Sequence, residues 1–170
     1  VTDVGALAPV PVSRSRTVRA ELVFPNDANP NGNIFGGRVL MLMDVVGAIA
    51  ARRHSRRQVV TAEIDSVDFL RPIRLGECIE LVAEVSAAGR TSLEVEVKAY
   101  VEDLFSGHHA MSARAFLTYV AVDEAGRPIP VPPLLTETPE EEARMRAAEI
   151  RRAERLARRR AAQGDGAGSR

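Results

Sequence analysis

From Arg16 onward apolar and polar residues alternate strictly, with Val18, Ala20, Leu22 and Phe24 in one set and Arg19 and Glu21 in the other. A period of two predicts a half-buried strand, ended by Pro25. Residues 37 to 54 break that rhythm. They are apolar almost all round, which predicts one long core helix. The next segment, QVVTAEIDSVDFLRPI, alternates again but changes parity, from Val60, Ala62 and Ile64 to Val67 and Phe69. Such a change inside one strand predicts a bulge near Asp65 and Ser66. Three further alternating runs follow, at residues 79 to 85, 93 to 101 and about 110 to 122. In the second of them Leu93, Val95, Val97, Ala99 and Val101 oppose Glu94, Glu96 and Lys98. AAGRTS and DLFSGHH supply the hairpin connections.

The ends have a different texture. Residues 1 to 15 are rich in Pro, Ala and Ser and predict a disordered arm. Beyond an extended Pro-rich exit, Thr138, Pro139 and Glu141 form a helix-start signature, so residues 136 to 162 predict a charged helix and 163 to 170 a disordered tail. Arg and Glu are interleaved along that helix, which favours a solvated or subunit-bridging element over an RNA-binding arm. The centre, residues 16 to 135, is therefore expected to be a single α+β domain, an antiparallel sheet curled around one long helix. A lone curled sheet leaves edges and one helix flank open, which predicts a homo-oligomer.

Composition narrows the class. With 170 residues, 45% hydrophobic and 4% aromatic with no Trp, the chain can build one aliphatic core. A net charge of zero argues against nucleic acid or an anionic membrane as an obligatory partner. No apolar run approaches the length of a membrane span, and the first residues lack the basic and apolar regions of a secretory signal. Cys78 is the sole cysteine, so no intrachain disulfide can form, and a reducing, cytoplasmic setting is expected.

Candidate chemistry begins at NDANPNGNIFGG, residues 26 to 37. Asn29-Pro30-Asn31-Gly32 is a turn signal, and Gly36 and Gly37 fall where the long helix begins. Free N–H groups at a helix start, unobstructed by side chains, suit developing negative charge, as an oxyanion hole requires. Asp44 follows two helical turns after Gly37, flanked by Met43 and Val45, with no basic residue between Arg38 and Arg52. A carboxylate so placed must be paired across the fold, protonated or used in chemistry. Small residues at 47, 48 and 51 would let another backbone pack beside it.

The order Asn29-x-x-Gly32-x-x-x-Gly36-Gly37, Asp44, FLRPIRLGE, GRTSLEVEV and FLTYVAVDEAGRPIPVPPL, over about residues 17 to 135, resembles the hotdog-fold acyl-CoA thioester hydrolases, the cytosolic (brain-type) enzymes and their bacterial single-domain relatives. The resemblance implies hydrolysis of acyl-CoA to a free carboxylic acid and CoA, within fatty acid metabolism. It gives Asp44 the part of general base or nucleophile, Asn29 that of holding the carbonyl or water, and Gly37 the N–H for the thioester oxygen. It implies a homodimer with Asn29 of one subunit facing Asp44 of the other, and three dimers in a hexamer. No cofactor is implied, coenzyme A being part of substrate and product. Phe35 stands where many relatives have His, which bears on pocket polarity. For the CoA phosphates Arg71, Arg90, Thr91 and Ser92, in or near turns, are candidates beside Gly36.

Other chemistries find less support. His54, His108 and His109 have no metal-ligand spacing, so no metal is expected. The nucleophile elbow of Ser-His-Asp hydrolases is absent. The competing class is a non-catalytic acyl-CoA-binding regulator, against which Asp44 speaks, since binding alone needs no carboxylate there.

Overall fold

A computed structural model describes residues 7–164. The elements run β1 (Val10–Pro11), β2 (Thr17–Leu22), α1 (Gly36–Ser55), β3 (Gln58–Phe69), β4 (Cys78–Ala88), β5 (Ser92–Glu102), β6 (His109–Val122), β7 (Leu134–Leu135) and α2 (Pro139–Gly164). β2 to β6 form one antiparallel sheet in the order β2-β4-β5-β6-β3, and β1 pairs with β7 in a small parallel ladder. This is an α+β hotdog: a sheet wrapped on one long helix, with a second helix behind it.

The inner face of the sheet and α1 share the core. Leu42, Met43, Val46 and Ala50 pack with Leu81, Val95, Val97, Leu117 and Tyr119, each of them at most 1% exposed. Valines, alanines, leucines and isoleucines fill most of the interior, as the aromatic-poor composition requires. α1 ends at Arg56, which takes a left-handed conformation (φ 54°) and returns its N–H to the Arg52 carbonyl. In β3 the ladder slips between Ile64 and Ser66, the expected bulge, and again between Thr61 and Glu63.

Three expectations change. The apolar set of β2 faces outward: Val18, Leu22 and Phe24 are 44%, 41% and 58% exposed. Glu21 is half-buried instead and pairs with the more exposed Arg19, because Arg38 of α1 reaches Glu21 at 2.8 Å and Asp27 at 2.8 Å, an ion cluster at the helix start. The expected disordered arm, residues 1 to 15, is packed over residues 7 to 15: Val12 and Ser15 are buried, and the Ser15 hydroxyl joins the Val12 carbonyl to the Val85 N–H. Residues 1 to 6 lie outside the described residues, as do 165 to 170 of the expected tail.

The third change concerns α2, which is not solvated all round. It lies across the outer face of the sheet. Arg144, Arg151 and Arg155 meet Glu84, Glu94, Glu96, Glu63 and Asp65, and Arg158 caps Asp65 at 2.5 Å. Arg151 also stacks over the Phe116 ring at 3.7 Å. Among the described residues no helix is long and apolar enough to cross a membrane.

Candidate active site

The loop before α1 is built by Asn29. Its side-chain carbonyl accepts the N–H groups of Asn31 (2.9 Å) and Asn33 (3.2 Å), its own N–H donates to Asn33, and Gly32 closes the turn at φ 74°. The acceptor end of the amide is therefore engaged by the loop. Its NH2 group has no partner among the described residues and remains a donor.

α1 begins directly after the loop. Phe35 is the N-cap, and its carbonyl takes the N–H groups of Arg38 and Val39. The N–H groups of Gly36 and Gly37 meet no acceptor among the described residues. A side chain at Gly37 would meet nothing within 4 Å, whereas one at Gly36 would touch the Phe69 ring at 3.4 Å. The positive end of the longest core element thus opens at an unobstructed backbone. Beside it runs a cleft of about 340 Å³, walled by Ile34, Gly36, Val39, Phe69 and Leu70.

Asp44 is half-buried on the flank of α1 that faces β3. Its Oδ1 accepts the Thr61 hydroxyl at 2.7 Å and lies 3.2 Å from the Tyr119 hydroxyl, which also donates to the Asp44 carbonyl at 2.9 Å. Neither Thr61 nor Tyr119 stood out in the sequence. Thr61 falls within the polar-apolar alternation of its strand, and Tyr119 within an apolar run. Only the strand register shows that they sit side by side under Asp44. Gly47, expected to admit a second backbone, faces the Tyr119 ring instead.

Helical rise separates the two halves of the site. At about 1.5 Å per residue, Asp44 lies about 10 Å along the axis from Gly37. Of the residues expected to hold CoA, Arg71 lines the cleft beside Gly36 and carries no ion pair among the described residues. Arg90, Thr91 and Ser92 are elsewhere. Ser92 pairs with Val120, and Ala113 with Phe69, so the turn lies about 20 Å along β6 from the glycine end. The chain does not bring them to its own Gly36. Cys78 is buried, and burial together with Glu102 and Glu80 pushes its thiol up, away from nucleophilic use.

A curled antiparallel sheet around one helix, with open N–H groups at the helix start and a tethered carboxylate two turns on, defines a hotdog protein equipped for an oxyanion. The thioesterase superfamily pattern matches residues 31–104. An uncharacterized acyl-CoA thioester hydrolase of Bacillus subtilis, YkhA, is 43% identical over 127 residues, 75% of this chain and 74% of that one. The acyl-CoA hydrolase of Staphylococcus aureus, solved with butyryl coenzyme A, coenzyme A and coenzyme A disulfide, superposes with a TM-score of 0.86 at 38% identity, over 92% of this chain and 95% of that one. An apo-hexameric acyl-CoA thioesterase superposes with a TM-score of 0.87 at 43% identity, over 89% and 97%. The Staphylococcus aureus protein has also been solved as alanine mutants of an asparagine, an aspartate and a threonine. Their spacing along that chain equals that of Asn29, Asp44 and Thr61 along this one. The chain belongs to the thioesterase superfamily, among its acyl-CoA thioester hydrolases.

Proposed function

We propose that this protein hydrolyses acyl-CoA thioesters to a carboxylic acid and CoA, at sites shared between two copies of the chain. The observation that carries the reading is the pair of half-sites on one helix. Gly36 and Gly37 offer free N–H donors, and Asp44 offers a held carboxylate about 10 Å away. One thioester carbon needs donor and base each within about 3 Å, so a single copy cannot present both.

A two-fold axis beside Met41, midway between Gly37 and Asp44, resolves this by bringing Gly37 of one copy to Asp44 of the other. The α1 flank there is apolar and open: Met41, Val45 and Ile49 are 49%, 40% and 38% exposed, next to Val60 and Ile64 of edge strand β3. A self-complementary face of this kind suits a homodimer. A trimer of dimers accords with the hexameric relative.

In this site Asp44 takes a proton from water as the water oxygen adds to the thioester carbon. The Gly37 N–H and the Asn29 amide hold the oxygen as it gains charge. The C–S bond then breaks, and the thiolate leaves with the proton returned by Asp44. No strong acid is needed, because CoA thiolate is a good leaving group. The apolar cleft beside Gly36 takes an apolar arm of the substrate, and Arg71 at its rim, with Arg90 of the other copy, suits the phosphates. Spacing shared with the three mutated residues of the Staphylococcus aureus protein supports these positions.

The test is release of free thiol from acyl-CoAs of several chain lengths by the purified chain. Wild type turns over, and Asp44→Ala loses about a hundredfold to a thousandfold in kcat. Tight acyl-CoA binding with no turnover by wild type would contradict the reading in favour of a non-catalytic regulator.

A further inference from the structure

We propose that Tyr119 is a positioning residue for this reaction. With Thr61 it holds Oδ1 of Asp44, so that Oδ2 is the oxygen presented to water, and Gly47 is glycine in order to admit the tyrosine hydroxyl. The inference rests on the hydrolase reading above.

Four observations converge. First, Thr61 and Tyr119 are directly opposed residues of β3 and β6, so their side chains leave the same face of the sheet side by side. The extra residue in β3 comes immediately after, between Thr61 and Glu63. Register is therefore kept up to the Thr61–Tyr119 pair and changed beyond it.

Second, both hydroxyls converge on one carboxylate oxygen. Thr61 donates to Oδ1 at 2.7 Å; the Tyr119 hydroxyl is within hydrogen-bond reach of both Oδ1 (3.2 Å) and the Asp44 carbonyl (2.9 Å). Oδ2 has no partner among the described residues. The lone pairs available for proton transfer are those of the oxygen left free.

Third, Gly47 is otherwise an expensive choice. Glycine is among the poorest residues for the interior of a helix, and Gly47 lies in the middle of α1. A Cβ there would overlap the Tyr119 hydroxyl and come within 3.2 Å of two ring carbons. Gly37, in contrast, faces open space. The gap at Gly47 has the shape of the tyrosine that fills it.

Fourth, Tyr119 is wholly buried in the core, and burial, reinforced by the charge of Asp44, pushes its phenol well above the ordinary tyrosine range. It remains a donor at every working pH.

The experiment uses the full chain with butyryl-CoA as probe, and thermal melts to correct for folded fraction. Tyr119→Phe keeps the ring and removes only the hydroxyl. It is expected to lower kcat about tenfold while KM stays within about twofold. Gly47→Ala, which displaces the hydroxyl without altering it, should lower kcat in the same way. Thr61→Ser should retain activity and Thr61→Val lose it, and Tyr119→Phe with Thr61→Val should approach Asp44→Asn.

Wild-type kcat in Tyr119→Phe, or a loss carried by KM, would overturn the proposal, since a purely structural tyrosine would leave the folded fraction fully active. Should wild type show no turnover at all, the hydrolase reading fails separately. A crystal structure of Tyr119→Phe then decides: an Asp44 carboxylate spread over more than one rotamer supports the proposal, and an unchanged single rotamer overturns it.

Discussion

Asn29, Asp44 and His54 are polar side chains that the fold holds in unlike ways, and the differences have consequences. Asn29 is fixed through its carbonyl and free at its amide. Asp44 is fixed at one oxygen and free at the other. His54, 1% exposed near the end of α1, donates from Nε2 to the Pro132 carbonyl at 2.9 Å and leaves Nδ1 without a partner. Burial lowers its pKa below 6.5, outweighing the opposite effect of the Pro132 bond. The folded chain therefore resists the proton that the unfolded chain accepts. The neutral form's stability is fully present above about pH 6.5 and is lost as pH falls toward the folded value. Melting temperature followed from pH 7.5 down to about 5 should decline in wild type, and less steeply in His54→Gln. Equal slopes would contradict this. At this scale Asn29, Gly37 and Asp44 were legible as candidates, because turn chemistry and an isolated carboxylate in an apolar run are local signals. Thr61 and Tyr119 were not, because their meaning depends on which residue lies opposite on another strand.

Among elements, α1 and strands β4 to β6 followed the pattern closely, and the bulge at Asp65 stands where the parity of β3 changes, whereas the apolar Val60 and Ile64 of that strand face outward, 50% and 42% exposed. β2 misled because its polar residues answer to Arg38 and not to water. α2 was underread for a related reason. Glu94 and Glu96 alternate with core valines and so resemble a solvent face, yet they are 5% and 3% exposed beneath the helix. The signal was present as periodicity: Arg144, Arg151, Arg155 and Arg158 recur at helical spacing on one side of α2, facing those acids. Arg155 is the most enclosed of them at 6% exposure, between Glu63, Asp65 and Glu94. Removing it leaves buried carboxylates with less compensation. Arg155→Ala should cost about 3 kcal/mol in urea unfolding, against less than about 1 for the exposed Arg146→Ala. Equal losses would mean that α2 is held by its alanines and not by its charges.

At the scale of the whole molecule, the proposed reaction leaves one copy chemically unfinished. The open N–H groups of Gly36 and Gly37 and the Asp44 carboxylate lie on one helix about 10 Å apart, and the apolar flank between them faces outward. Sequence pattern anticipated the open flank, because a helix apolar on all sides cannot be covered by a single curled sheet. It did not place an axis; the proposed one follows from the rise of α1 and the positions of Met41 and Val45. Mixing two inactive variants tests the shared site directly. Asn29→Ala and Asp44→Ala, each reduced about a hundredfold or more alone, are co-expressed in equal amounts so that subunits pair at random. A shared site gives half of the dimers one intact Asn29–Asp44 pair, and activity returns to about a quarter of wild type. Activity that stays at the level of the separate variants, with mixed assemblies present, would show that each copy completes its own site and would contradict the account.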